Sequence, residues 1–451
     1  MAATERRRRA IPHSRPAGAT AGTAAEIQRE RNPLKKAGKI LGPGFITGAS
    51  DDDPSGIGTY AVAGATLGLQ PLWTALLTFP LMSAVQNICA RVGMVSGQGL
   101  AGVLREHYPR PLLYGSVLLL FVANTINVGA DLGAIADAVH SVTGIQALWL
   151  VVPVAAGILA FQVFGSYRLI ANTFKWLTLA LLAYVVDAFL VHSDLRETLR
   201  ATIVPTLSGD PSYLITLVAI FGTTISPYLF FWQSSEEVEE EVEMGRTTRS
   251  SRMGATPAEI RYSTIDVNVG MAFSNLVMYF IILASALTLF RAGKTDIKSA
   301  ADAAEALRPL AGDLAGILFA VGLIGAGILA VPILSGSAAY AIAEAFGWRY
   351  GLKTHWSRAK PFYGVIALAT AIGVALDFTG VNPIDALFYS AALNGLIAPP
   401  ILVLLMLAAR NRRVMGDQPI GPVLTVLGWI ATIGMFAAAL GLGIATIGRG
   451  G

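Results

Sequence analysis

The sequence predicts an all-α, polytopic membrane protein made of two units of opposite orientation, and three observations carry that prediction. Of its 451 residues 54% are hydrophobic and 14% charged, whereas soluble domains carry about 25% charged residues. The mean hydropathy is +0.59, and the apolar residues gather into stretches of about 20, the length that spans a hydrocarbon core. Two of these stretches, the first and the sixth, are interrupted by a polar residue followed by proline: Asp51-Asp52-Asp53-Pro54 and Ser226-Pro227. A proline inside a helix removes a backbone hydrogen bond and clashes with the preceding turn, so each stretch should unwind there. Unwound backbone at bilayer depth is tolerated only where it is buried in protein or lines a cavity, and paired breaks in two halves point to a transporter's binding site.

Taken in order, the chain opens with a basic segment, residues 1–39, containing Arg6 to Arg9 and no apolar core. It reads as a disordered cytoplasmic tail near anionic lipid and not as a cleaved signal peptide. A single transmembrane domain then occupies 40–447. Its eleven candidate spans lie roughly at 40–68, 71–96, 112–139, 146–164, 167–191, 212–235, 263–290, 313–343, 361–379, 383–408 and 421–447, with ends good to a few residues. The 47 glycines suit helices that pack closely through small residues. Alternate loops are basic: Arg105 and Arg110, then Arg168, then Arg246, Arg249, Arg252 and Arg261, then Arg349, Lys353, Arg358 and Lys360, and finally Arg410, Arg412 and Arg413. The loops near 69–70, 140–145 and 380–382 carry no basic residue, and at 291–312 acids balance the bases. This asymmetry predicts a cytoplasmic N-terminus. Spans one to five (40–191) and six to ten (212–408) then form inverted repeats, each opening with a broken helix, and the span at 421–447 is an addition.

Several chemistries are disfavoured. Cys89 is the sole cysteine, and His13, His107, His140, His192 and His355 all fall in the tail, in loops or at span ends. No thiolate–imidazole cluster can form at mid-membrane. No activated nucleophile or paired metal ligands appear, so the chain does not read as an enzyme. The pI of about 9.1 comes from the tail and loops and does not call for nucleic acid. No resident cofactor and no obligatory protein partner is implied. The six glutamates between Glu236 and Glu243 read as a solvated helix extension balanced by Arg246, Arg249 and Arg252.

The acids at the first break are the most telling residues. A carboxylate at the bilayer centre costs about 2.5–3.5 kcal/mol even on the mild insertion scale, and three adjacent ones repel. Asp53 before Pro54 suits a helix cap, yet one cap needs one acid. A bound cation or an aqueous vestibule would relieve Asp51, Asp52 and Asp53 together. At the second break Ser226-Pro227 repeats the cap-plus-proline pattern, and freed carbonyls such as that of Thr223 can face an ion.

The stretches Gly42–Gly68 and Ala219–Gln233 resemble the two broken helices of the Nramp family of divalent-metal transporters, and the resemblance covers nearly the whole chain beyond the tail. It implies the LeuT-type fold of five plus five helices. In that family the breaks read Asp-Pro-Gly-Asn and Met-Pro-His, and the Asp, Asn and Met side chains bind manganese or iron with backbone carbonyls. Here Asp53 and Pro54 match, while Ser55 and Gly56 stand at the Gly and Asn positions. Pro227 matches, while Ser226 and Tyr228 replace Met and His. The family's carbonyl position is Thr223, with Ser50 as its counterpart in the first span. A family glutamine falls on Ala391, with Asn394 one turn away.

These departures imply a different ion. A thioether favours transition metals, and its replacement by a hydroxyl leaves hard oxygen donors. Magnesium prefers octahedral oxygen and sheds water reluctantly, so a roomy acidic site suits it partly hydrated. The pattern looks like the Nramp-related magnesium transporters, a prokaryotic branch, in a cell membrane. In the third span the family's Asp is kept as Asp131, but the Glu three residues on is Ala134, residues 361–379 hold no Arg or Lys, and a histidine of the sixth span is Gln233. Asp131 remains a candidate proton relay or a polar contact with Asn124 or Asn127. The reading is therefore transport of magnesium, and manganese with it, uncoupled from protons. The rivals are a proton-coupled manganese or iron symporter and a sodium-coupled solute carrier.

Overall fold

The structure, a computed structural model, describes residue 32 and residues 40–165, 181–190 and 194–447. The expected basic tail, residue 32 apart, therefore lies outside the described residues, as does most of the candidate span at 167–191. The described residues contain helices and connecting turns and no strand.

The first apolar stretch forms two short helices, α1 (Pro43–Asp51) and α2 (Pro54–Leu67). Proline is the first residue of each, where its missing N–H is not needed. Asp52 and Asp53 between them leave helical geometry, Asp53 taking an extended conformation. Gly68, with φ of 61°, ends α2, an angle that side-chain-bearing residues rarely adopt. Next come α3 (Trp73–Ser96), the short α4 (Leu100–His107), α5 (Arg110–Thr143), α6 (Ala147–Phe164), α7 (Ala183–Leu190) and α8 (Leu195–Ile203). The second broken stretch gives α9 (Pro211–Thr224) and α10 (Pro227–Glu243), with Ile225 and Ser226 non-helical between them. A Thr256–Glu259 capping box starts α11 (Pro257–Ser285), which continues through a π-helical turn to Phe290. The remaining long helices are α12 (Ala315–Phe346), α13 (Lys360–Asp377), α14 (Pro383–Arg410) and α15 (Pro422–Ile447).

Among the described residues nine helical stretches are long and apolar enough to cross a membrane. α1 and α2, at 9 and 14 residues, are each too short to be counted. Burial sorts the nine. The most apolar window of α9–α10 is 89% buried, against 22% for α6 and for α15. The second break therefore runs through the centre of the molecule, and α6 and α15 lie at its periphery.

The central helices meet at glycine. A Cβ on Gly48 of α1 would stand 2.2 Å from the Gly270 backbone of α11. One on Gly222 of α9 would stand 2.1 Å from the Ala391 carbonyl of α14. Backbone-to-backbone approach of this kind gives helices in lipid their dispersion contacts, since no hydrophobic drive operates between them there.

The acidic run does not form a solvated face. Glu236, Glu237, Glu239 and Glu241 are buried. Glu237 accepts hydrogen bonds from Gln233 (3.0 Å) and Ser263 (2.9 Å). Arg246 pairs with both Glu241 and Glu259, and Lys353 with Glu243. Arg249 turns away to Glu106, and Arg252 binds backbone carbonyls. α10 packs on α3 and α12 and reaches Ser263 of α11, so its carboxylates are solvated by protein groups both near in the chain, Gln233 and Arg246, and far from it, Ser263 and Lys353.

The glycine contacts yield a direct test. Gly48→Ala and Gly222→Ala should each force two backbones apart and lower the melting temperature of the purified protein, at an overpacking cost of about 1–3 kcal/mol or more. Gly157→Ala, on α6 with nothing within 4 Å of the added methyl, should leave melting unchanged or slightly raised. Equal behaviour of the three variants would remove the packing argument.

Candidate functional site

The two breaks meet at Asp53. Its Oδ1 accepts the Gly56 N–H and the Ser55 hydroxyl, both at 2.7 Å, and so caps α2. From the second break the Tyr228 hydroxyl reaches the Ser50 carbonyl at 3.0 Å and Asp53 Oδ2 at 3.3 Å. One phenolic proton thus serves a carbonyl and a carboxylate on opposite sides of the first break. Ser50, Asp53 and Tyr228 are all buried. The Tyr228 carbonyl in turn accepts the Ser337 hydroxyl of α12 at 2.7 Å, tying the second break to a third element.

The other two acids face elsewhere. The Ser274 hydroxyl of α11 lies 2.8 Å from Asp51 Oδ2 and 3.1 Å from Asp52 Oδ1. A hydroxyl has one proton to give, so it satisfies one of the two carboxylates at a time. Asp51 Oδ1 and Asp52 Oδ2 are buried with no hydrogen-bond partner. Leaving a buried carboxylate oxygen unpaired is costly unless a cation, a water or a proton meets it. Among the described residues no three His, Cys, Asp or Glu side chains form a metal-holding cage. The acids therefore offer two faces: Asp53 toward Tyr228, and the Asp51–Asp52 pair toward Ser274.

At the second break the Ser226 hydroxyl turns back onto its own chain. It lies 2.7 Å from the Gly222 carbonyl and 2.8 Å from that of Thr223. The carbonyls freed at the end of α9 are thus already engaged, with the second lone pair of each still available. Gly56 does not leave an open void. A Cβ there would stand 3.0 Å from Thr223 Oγ1 and 3.2 Å from the Asp51 carbonyl.

Asp131 of α5 is buried within electrostatic reach of Asp53 and Tyr228 and faces the Ser55 backbone N–H of α2, too loosely for a well-formed hydrogen bond. The alternative of a contact with Asn124 or Asn127 does not appear: Asn124 donates to the Leu334 carbonyl at 2.8 Å, and both Asn127 amide atoms lack a partner. Asn394 is brought beside the second break by the Gly222–Gly395 backbone approach, and both its amide atoms are buried without a partner. Asn275 of α11 accepts a hydrogen bond from Thr78 of α3 at 3.0 Å.

The span at 263–290 is present as α11, but its contribution to the site, through Asp266 and Ser274, was not anticipated from the sequence. Asp266, Gly270 and Ser274 recur at intervals of four, a polar–small–polar stripe on one helix face inside an apolar stretch. That spacing was the available signal.

Comparison with known proteins identifies the family. The family model described as natural resistance-associated macrophage protein-like (Nramp) matches residues 44–445. A divalent metal cation transporter MntH of Deinococcus radiodurans is 28% identical over 403 residues, 87% of each chain. One from Bacillus subtilis is 25% identical over 408 residues, covering 87% of this chain and 89% of its own. The fold matches a crystal structure of the Eremococcus coleocola manganese transporter with a TM-score of 0.72 at 17% identity, covering 91% of this chain and 87% of that one. The inward-facing conformation of Mhp1 matches more distantly, with a TM-score of 0.51 at 12% identity over 89% of this chain and 90% of the other. With the family model spanning both breaks and the described helices on either side of them, this chain belongs to the Nramp family.

Proposed function

We propose that this protein carries magnesium, and manganese with it, through a prokaryotic cell membrane by alternating access, without obligatory proton coupling. It would stand with the Nramp-related magnesium transporters. Its eleven spans would include the α1–α2 pair and the segment at 167–191, in a LeuT-type five-plus-five repeat with the N-terminus cytoplasmic. The ion would meet Asp53, the Ser50 and Thr223 carbonyls and the Tyr228 hydroxyl, with Asp51, Asp52 and Asn394 acting on it directly or through retained water.

The observation that carries this reading is the donor chemistry around Asp53. Its neighbours are the Ser55 and Tyr228 hydroxyls and the Ser50 carbonyl. No sulfur stands at position 226, and the hydroxyl there is spent on backbone. Hard oxygen donors and two unpaired carboxylate oxygens favour a hard divalent ion that keeps part of its hydration. A second reading, a proton-coupled manganese symporter, is favoured by Asp131, which is buried near Asp53. It is also favoured by relatives described as divalent metal cation or manganese transporters. Against it, Ala134 stands where a second acid would continue the path.

Three outcomes test this. In liposome uptake, Asp53→Ala should abolish magnesium transport and metal-dependent thermal stabilisation. Asp51→Ala or Asp52→Ala should weaken apparent affinity by about tenfold, equivalent to ~1.4 kcal/mol. Full uptake by Asp53→Ala would remove the site assignment.

Magnesium uptake should also proceed with no acidification of the liposome interior, read by an enclosed pH dye. Acidification in fixed proportion to metal would establish the symporter reading in its place.

Finally, Ser226→Met should strengthen manganese and cadmium binding and reduce magnesium transport by introducing a soft ligand. Adding Gly56→Asn should act in the same direction while displacing Thr223 Oγ1, so the two changes need not be additive. Unchanged magnesium transport in the double variant would place selectivity elsewhere.

A further inference from the structure

The helix that presents the Ser50 carbonyl, Asp51 and Asp52 has no means of holding itself. α1 is nine residues long, and isolated helices this short are marginal. Gly42, at its N-cap, has no side chain with which to satisfy the first N–H groups. Those groups are satisfied from another helix. The carboxylate of Asp266 on α11 accepts the N–H of Gly42 at 2.8 Å, of Gly44 at 2.7 Å and of Phe45 at 3.0 Å. Asp266 is buried, and its charge also complements the positive end of the α1 dipole.

The same face of α11 follows α1 along its whole length. A Cβ on Gly44 would lie 2.5 Å from the Val267 backbone, and one on Gly48 would meet Gly270. Ser274 reaches Asp51 and Asp52 at the far end. Asp266 and Ser274 are eight residues apart, about 12 Å along a helix, so the two anchors match the ends of α1. Both helices run in the same direction, and the register between them is set at three points.

We propose that Asp266 is a positioning residue for the metal site: by capping α1 from α11, it sets where the Ser50 carbonyl, Asp51 and Asp52 stand relative to Asp53. This rests on the proposed function for its consequence, metal affinity, and on geometry alone for its cause. Asp53 itself belongs to α2, with its own cap contacts to Ser55 and Gly56. Loss of Asp266 therefore leaves Asp53 in place and removes the partners brought by α1.

The test uses full-length protein and two readouts. Asp266→Asn keeps the shape but replaces an accepting oxygen with a donor that faces backbone N–H groups. Without metal, amide exchange in a peptide covering 42–51 should accelerate by about tenfold or more, the cost of one charge-assisted hydrogen bond. Peptides from α2 and α14 should exchange as before. Magnesium and manganese titrations should show weaker binding by about the same factor, while Asp53→Ala abolishes it. Asp266→Glu, which keeps the charge on a longer arm, should fall between Asn and wild type, and it serves if the Asn variant does not fold. Unchanged exchange in 42–51 overturns the capping. Faster exchange with unchanged affinity overturns the positioning role and leaves a structural one. Failure of the wild type to bind either ion overturns the functional reading instead, and the exchange result separates that failure from the others.

Discussion

Two pieces of non-helical backbone and three adjacent carboxylates have to be solvated in a place where bulk water is scarce, and the rest of the structure follows from that requirement. Backbone groups at this depth need protein partners. Asp53 caps α2, Ser226 turns its hydroxyl onto the α9 carbonyls, and Tyr228 links the Ser50 carbonyl to Asp53 across the gap. Each device is local to a break. They come into contact only because α1, α9, α11 and α14 approach through Gly48, Gly222, Gly270 and Gly395, where an added methyl would strike backbone. Glycine at these positions is a packing requirement before it is a conformational one.

The unequal treatment of the three acids is the chemically interesting result. Asp53 is the best satisfied, with two donors on one oxygen and a phenol at the other, whose second lone pair stays open. Asp51 and Asp52 share one hydroxyl and keep one unpaired oxygen each. On the proposed function, these three carboxylates would meet an ion whose hydration shell supplies the missing contacts. Asp131, near Asp53, and Asn394, beside the second break, add to that polar interior, both Asn394 amide atoms being without a partner.

The glutamate run teaches a different lesson. Charge pattern alone made it a solvated extension with nearby arginines as counterions. Of those arginines Arg246 does pair with Glu241, but the other partners include Ser263 of α11 and Lys353 of the connection after α12. Local charge balance could not identify Ser263 and Lys353, because they lie on elements far along the chain from the run.

Much was legible in the residues themselves. Apolar stretches of spanning length gave the all-helical membrane class, because a bilayer imposes length and hydrophobicity one segment at a time. Asp53-Pro54 and Ser226-Pro227 located the helix interruptions, because proline acts on its own turn. What the tertiary structure alone decided was which oxygen meets which. That Asp53 faces Tyr228 while Asp51 and Asp52 face Ser274 depends on how α1 is rotated and held, and Asp266 caps α1 from 222 residues away. Helical period and turn chemistry are properties of neighbours in sequence, whereas these contacts are set by the close packing of helices whose register no single segment encodes.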